Sequence, residues 1–260
     1  MNIDLHEKKA IVCGSTRGIG KAVAIELASL GAEIVLIARN EEELKKVVAQ
    51  LKSGKNHRYI VADFEKPDDL KEKVLKHLTD FGPVQILVNN TGGPPGGPII
   101  SATPEEFSNA FSNHLICNQI LAQAVLEGMK KSNYGRIINI ISTSVKQPLK
   151  NLGVSNTVRA AVANWAKTWA NEVAQFGITV NNVLPGATLT DRLHSLIDAK
   201  AKKLNVLAVD VEKEMLEEIP MKRFASPEEI AAAVAFLASP AAAYITGINI
   251  TVDGGRTGGL

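Results

Sequence analysis

The sequence holds little cysteine, little net charge and no long apolar run. Cys13 and Cys117 are the only cysteines in 260 residues, which excludes a disulfide framework and fits a reducing compartment. Lysine plus arginine number 29 against 27 aspartates and glutamates, a formal net charge of +2, so nothing argues for bulk attraction to nucleic acid or an anionic membrane. No apolar stretch approaches the ~20 residues of a membrane span. The opening MNIDLHEKK has no apolar core of a signal peptide, so a cytoplasmic protein is expected. No Pro/Gly/Ser linker, charge block or internal repeat divides the chain, and no metal ligands are assigned. At 45% hydrophobic and 22% charged, the composition is that of an ordinary globular protein.

What is present is a regular alternation. Seven short runs rich in β-branched residues are Lys9–Cys13, Glu33–Ala38, Arg58–Ala62, Val84–Asn90, Arg136–Ile141, Ile178–Leu184 and Ile248–Val252. They show little polar alternation, as strands buried on both faces of a parallel sheet should. Helical patterns separate them. Ile19, Val23, Leu27 and Leu30 share one helix face, stopped by Gly31. Thr103-Pro104-Glu105-Glu106 and Ser226-Pro227-Glu228-Glu229 read as capping boxes with proline at the first helical position. Val158, Val162, Trp165, Trp169 and Val173 mark a long helix over about 152–176. The alternation predicts an α/β fold, a single doubly wound, Rossmann-type parallel sheet of about seven strands spanning 1–260. Two segments interrupt the rhythm: the loop Thr91–Pro98 (TGGPPGGP) after the fourth strand, and the charged helical stretch 188–222 after the sixth. Ligands of open α/β sheets bind beyond the carboxyl ends of the strands, where both segments lie, so the first can line the site and the second is expected to act as a lid.

The first strand runs into Gly14-Ser15-Thr16-Arg17-Gly18-Ile19-Gly20 and then a helix. Glycines let backbone N–H groups approach a phosphate, and the helix N-terminus favours the anion. The spacing is G-x-x-x-G-x-G, neither G-x-G-x-x-G nor a P-loop, because Gly20-Lys21 lacks a Ser/Thr after the lysine. Alone, these residues would also suit an ordinary strand-to-helix turn.

Context adds to them. The glycine turn, Asn89-Asn90-Thr91-Gly92, Val180-Asn181…Pro185-Gly186 and Tyr244-Ile245-Thr246-Gly247…Val252-Asp253-Gly254-Gly255 follow one another over nearly the whole chain. In that order they resemble the short-chain dehydrogenase/reductase family, in style its 3-oxoacyl-thioester (acyl-carrier-protein) reductase branch. The resemblance implies a dinucleotide cofactor. It places Gly14, Gly18 and Gly20, with Ser15 and Ile19 between them, at the pyrophosphate. It places Asp63, followed by Phe64, at the adenine, and gives Asn90 a supporting role. Pro185, Gly186, Thr188 and Thr190 fall at the nicotinamide carboxamide. It also implies a homotetramer or homodimer acting on a small molecule. An acid usually meets the ribose 2′-hydroxyl of NAD at the end of the second strand, whereas arginine accommodates a 2′-phosphate. Here Ala38-Arg39 stands at that place and Arg17 sits in the turn, which favours NADP(H) over NAD(H).

The family's catalytic pattern is broken. Ser142 matches its serine, but thirteen residues later Ser155 stands where a tyrosine is expected, and Arg159 replaces the lysine four residues beyond. His114 falls at the asparagine position, with Asn113 beside it. No Tyr-x-x-x-Lys occurs; the tyrosines are Tyr59, Tyr134 and Tyr244. A nearby cation can bring a phenol of pKa ~10 toward neutrality, whereas an aliphatic hydroxyl is far less acidic and an arginine does not give up its proton. Three readings follow. One is an NADP(H)-linked oxidoreductase on a carbonyl or alcohol, with Arg159 and Ser142 polarising oxygen and His114, titrating near neutrality, donating the proton. Another is a dinucleotide binder or sensor without chemistry. The last is elimination or proton abstraction on the same fold. Lys146 reads as a loop lysine near the same mouth.

Overall fold

Residues 1–51 and 54–259 are described by the computed structural model of the chain. The strands are β1 (Lys9–Cys13), β2 (Glu33–Ala38), β3 (Arg58–Val61), β4 (Ile86–Asn89), β5 (Gly135–Ile140), β6 (Ile178–Pro185) and β7 (Asn249–Val252). They form one parallel sheet in the order β3-β2-β1-β4-β5-β6-β7. The fourth strand begins two residues later than Val84, the start the sequence suggested; Gln85, just before it, donates its N–H to Lys9 O at 3.0 Å and accepts from Lys9 N–H through Oε1 at 3.0 Å.

Helices cover both faces. On one side lie α1 (Gly18–Ser29), α2 (Glu41–Val48) and, late in the chain, α9 (Pro227–Ala238). Val23, Leu27, Leu44, Ile230 and Val234 pack there against Val12, Leu36, Val88 and Ile138 of the sheet. On the other lie α3 (Pro67–Phe81), α5 (Cys117–Ser132) and α6 (Gly153–Val173), whose Val74, Leu121, Val125, Ala166 and Ala170 meet Ile11, Ile37, Leu87 and Ile137. Successive sheet residues thus feed opposite layers, which is why the strands carry no polar alternation. Burial of each such Val, Leu or Ile side chain contributes roughly 1.5–3 kcal/mol. Both expected capping boxes are present, at Thr103/Glu106 opening α4 (Pro104–Phe111) and at Ser226/Glu229 opening α9.

The row β4–β7 also carries a polar seam. Asn89, Asn139, Asn182 and Asn249 stand in register. Asn89 Nδ2 donates to Asn139 Oδ1 at 2.8 Å, Asn139 Nδ2 to Asn182 Oδ1 at 2.9 Å, and Asn182 Nδ2 to Asn249 Oδ1 at 2.8 Å. Removing a middle member strands two buried groups. Asn139→Ala is therefore expected to cost about 2–4 kcal/mol in urea unfolding, against under ~1 if the seam contributes nothing.

Strand order reverses between β1 and β4, so the loops after these two strands open on one crevice. The segment after β6 contributes α7 (Asp191–Leu204) and α8 (Ala208–Glu217), which hold a small core of Leu193, Ile197, Ala201, Val211, Ile219 and Phe224. Among the described residues no helix is long and apolar enough to cross a membrane.

Candidate active site at the reversal of strand order

The turn after β1 is locked from below. Gly14 and Gly18 adopt φ of +58° and +52°, a left-handed conformation that favours glycine. A Cβ on Gly14 would lie 2.6 Å from Asn90 O, and one on Gly20 would lie 2.2 Å from Gly14 O. Asn90 Nδ2 donates to Cys13 O at 3.1 Å and to Gly14 O at 3.3 Å, tying the end of β4 to the turn. Ser15 is buried, and Ile19 is partly buried against the sheet. Helix α1 then starts at Gly18 with no side-chain cap and no acid in its first turn. Its free N–H groups and positive dipole end are a cradle for a phosphate.

The flanking residues differ in what occupies them. Arg39 is exposed at the end of β2 with no acid partner among the described residues. Arg17 Nη1 already reaches Asp191 Oδ2 of α7 at 3.2 Å, an exposed pair worth at most about 1 kcal/mol. Asp63 accepts from Glu65 N–H at 3.1 Å through one carboxylate oxygen, forming a turn, while Phe64 lies against the core. On the far wall, a Cβ on Gly186 would lie 2.7 Å from Asp253 Cα. Pro185 ends β6, Thr188 Oγ1 donates to Gly186 O at 3.1 Å, and Thr190 Oγ1 caps α7 by accepting from Leu193 N–H at 3.4 Å. The two threonines thus shape the wall with their own hydroxyls.

The broken catalytic positions converge. Arg159 is 8% exposed, and its Nη1 donates to Ile140 O at 3.0 Å, placing the guanidinium at the end of β5. Ser142, just beyond, accepts from Ser144 N–H at 3.1 Å and so caps a short helical turn. Ser155 lies half-buried one turn before Arg159 on α6, on the same side of the helix. His114 resolves against its neighbour Asn113. Residues Ser112–Ile116 form a π-helical turn between α4 and α5, and His114 is buried there with its Nδ1 2.5 Å from Thr91 Oγ1, whereas Asn113 is half-buried. π-turns of this kind recur at functional sites.

His114 does not titrate near neutrality: burial first, and the charge of Arg159 second, push its imidazole down to about 2. It stays neutral at physiological pH. An unfolded chain whose histidine takes up a proton near pH 6.5 then gains on the native state as the medium acidifies. Stability contributed by neutral His114 is full above pH ~6.5 and falls by about 1.4 kcal/mol per pH unit below it. Urea unfolding between pH 6.5 and 5 is expected to show that slope, and His114→Gln to lose it. An unchanged slope in the variant would contradict the assignment.

The sequence placed the loop Thr91–Pro98 at the site but assigned no individual role to Thr91 or Gly93, and it did not single out Arg192. Arg192 sits on the first turn of α7, and its Nη2 donates to Pro94 O at 2.7 Å, clasping the Gly/Pro loop. A lone arginine inside a charge-rich helical stretch gave no signal of this. The adjacent Thr188-x-Thr190 wall was the available hint.

The family model described as "Enoyl-(Acyl carrier protein) reductase" matches residues 14–257. Among curated relatives, the 3-oxoacyl-[acyl-carrier-protein] reductase FabG of Vibrio cholerae is 39% identical over 97% of this chain and 98% of its own length. Among solved structures, YwfH, described as an NADPH-dependent reductase involved in bacilysin biosynthesis, superposes with a TM-score of 0.92 at 30% identity, covering 97% of this chain and 99% of that one. L-sorbose reductase from Gluconobacter frateurii, solved with NADPH and L-sorbose, superposes with a TM-score of 0.94 at 33% identity over 100% of both chains. On the fold, the glycine turn interlocked with Asn90 and these relatives, the chain belongs to the short-chain dehydrogenase/reductase family of oxidoreductases.

Proposed function

We propose that the protein is an NADP(H)-linked oxidoreductase that interconverts a carbonyl and an alcohol on a small molecule, with a site rebuilt around Arg159. The observation that carries it is the interlock of Gly14, Gly20 and Asn90 beneath an uncapped helix N-terminus, a cradle that any side chain would fill. When bound, the nicotinamide supplies or accepts a hydride. The turn Gly14–Gly20, with Ser15 and Ile19 behind it, holds the pyrophosphate. Asp63, through its remaining oxygen, and Phe64 flank the adenine. Pro185, Gly186, Thr188 and Thr190 fix the carboxamide end. Arg39 meets the 2′-phosphate, joined by the free face of Arg17.

At the reacting carbon the chain's own residues divide the work. Arg159 holds the substrate oxygen as negative charge develops on it, helped by the Ser142 hydroxyl. In a buried site such preorganised donors are the main source of rate. Ser155 takes the space that a tyrosine ring would fill. His114, neutral and held by Thr91, orients the oxygen without carrying the charged proton itself. Helices α7 and α8 act as a lid over 188–222, with the Arg17–Asp191 pair as its latch. The exposed edge strand β7, with Ile248 and Tyr244 in the open, supports a homo-oligomer. The charge balance and composition support a cytoplasmic protein with neither nucleic-acid nor membrane partners.

Arg39→Ala tests the cofactor choice. A lost charge-assisted bond to phosphate is worth about 1.5–3 kcal/mol, so NADPH affinity is expected to fall by roughly 10- to 100-fold while NADH affinity holds. Calorimetry with both nucleotides reads this directly, and an unchanged NADPH/NADH ratio would sink it.

A further inference from the structure

Among the described residues two buried cations, Arg136 and Arg159, have no carboxylate partner. Arg136 is held by the carbonyls of Gly135, Gly177 and Ser239 and by the Tyr134 ring, whereas Arg159 has one carbonyl and an open side. Arg159 spends Nη1 on Ile140 O, and its Nη2 faces Gly93. Arg192, itself exposed, comes to the same spot from the rim at α7. A Cβ placed on Gly93 would lie 3.9 Å from Arg192 Nη2, 4.0 Å from Arg159 Nη2 and 4.0 Å from Arg192 Nε, and nearer to nothing else. The only anchors of the two guanidiniums are the carbonyls Ile140 O and Pro94 O; among the described residues neither is paired with a carboxylate. Burial, then the charge of Arg192, hold Arg159 down to about 10. His114 beside them is neutral and brings no negative charge. A buried ion without a partner costs several kcal/mol, and Arg159 recovers that cost when an anion enters the gap, where exposed Arg192 adds a second donor from the rim.

We propose that Arg159 and Arg192, with the bare face of Gly93 between them, form a clamp for a substrate carboxylate, and that the substrate is a 2-oxo acid or the corresponding 2-hydroxy acid. The inference rests on the oxidoreductase reading and names its substrate class. A carbonyl oxygen alone would leave the buried Arg159 charge unmatched, whereas a carboxylate accepts from two guanidiniums at once. The 2-oxo arrangement follows from Arg159 serving both groups. A carboxylate on the carbon next to the carbonyl keeps one oxygen of each within reach of a single planar fork. In the reduction, hydride from the nicotinamide adds to C2, the electrons of the C=O bond move to oxygen, and that oxygen takes one proton from solvent water. The products are the 2-hydroxy acid and the oxidised nicotinamide. The reverse reaction releases the same proton.

Gly93 makes the clamp testable without disturbing the fold. Its φ lies outside the left-handed region and an added Cβ meets only ordinary contacts, so Gly93→Val places apolar bulk in the anion gap at little cost to the backbone. The probe is 2-oxohexanoate, compared with 2-oxohexanamide and inorganic phosphate. Binding is measured by calorimetry and thermal shift on the protein alone and with NADP+, for wild type, Gly93→Val and Arg192→Leu. The expected result is binding of the acid but not the amide. In each variant the acid should weaken at least about tenfold, with NADPH affinity held within about twofold. Equal binding of acid and amide would overturn the proposal, as would unweakened acid binding in both variants. Phosphate outcompeting the oxo acid would overturn it in favour of a phosphate site. An equal loss of NADPH and acid in Arg192→Leu would overturn it by assigning Arg192 to the cofactor. Acid binding that persists in a protein with no affinity for NADPH would support the clamp while sinking the oxidoreductase reading.

Discussion

A single methyl group on Gly20 is expected to abolish NADPH binding. In Gly20→Ala the new Cβ would lie 2.2 Å from Gly14 O and 2.7 Å from Asn90 Nδ2. The first neighbour is backbone at the bend of the turn, and moving it withdraws the N–H groups that face the phosphate. The second is the amide that pins β4 to the turn, so the damage spreads to both sides of the crevice. We expect NADPH to bind at least about 100-fold more weakly, a change of ~3 kcal/mol or more, and the melting temperature to fall as well. Gly97→Ala is the matched control. Nothing lies within 4 Å of its added Cβ, and its melting temperature and NADPH affinity should stay near wild type. If Gly20→Ala binds NADPH within about threefold of the parent, the cofactor does not lie on this turn.

The second large effect is expected at Arg159. Arg159→Met keeps much of the buried length and removes the charge, so the fold should survive and become more tolerant of its surroundings, since an unpaired buried cation is itself a liability. Turnover should fall by about 10²–10³-fold, the range for removing one preorganised donor from a developing oxyanion. Arg159→Lys is not a conservative repair. A buried ammonium deprotonates more readily and cannot hold Ile140 O while presenting a second N–H to the gap. With Ser155 on the same face it has no phenol to activate, so it should not restore the usual chemistry. Unchanged kcat/KM in Arg159→Met would remove this residue from the reaction. A lower melting temperature with unchanged kcat/KM would leave it a purely structural role.

Much of the fold was legible because its rules are local. The β-branched runs that became β1, β2 and β7 carry their burial in their composition, and the capping boxes at Thr103 and Ser226 mark helix starts within one turn. The glycine turn was legible for the same reason: left-handed backbone at Gly14 and Gly18 needs glycine whatever surrounds it. The catalytic side was less so. His114 turns inward because a π-helical turn adds a residue to the phase of the helix, and no proline or glycine announces it. Its lowered basicity comes from burial and from Arg159, which is 45 positions away in the chain. Arg192 joins the site only through the tertiary path that lays α7 beside the Gly/Pro loop. Charge in a lid-like segment is ordinarily solvated surface, and nothing in its sequence distinguishes one arginine from its neighbours.

The cradle and the broken tetrad also explain each other. On the proposed reading, binding and chemistry rest on separate elements: β1, β4 and α1 for the cofactor, and β5, α6 and the π-turn for the reacting groups. Loss of the tyrosine and lysine leaves the first set untouched. What replaces them is a cluster short of negative charge, which is better suited to gripping an anionic substrate than to moving a proton through a phenol.

The central claim is that this cluster works beside a bound NADP(H). Calorimetric titration of the wild-type protein with NADPH, and separately with NADH, tests it most directly. The expected result is one site per chain, with NADPH preferred by about tenfold or more. Absence of heat and of thermal stabilisation with either nucleotide would contradict it.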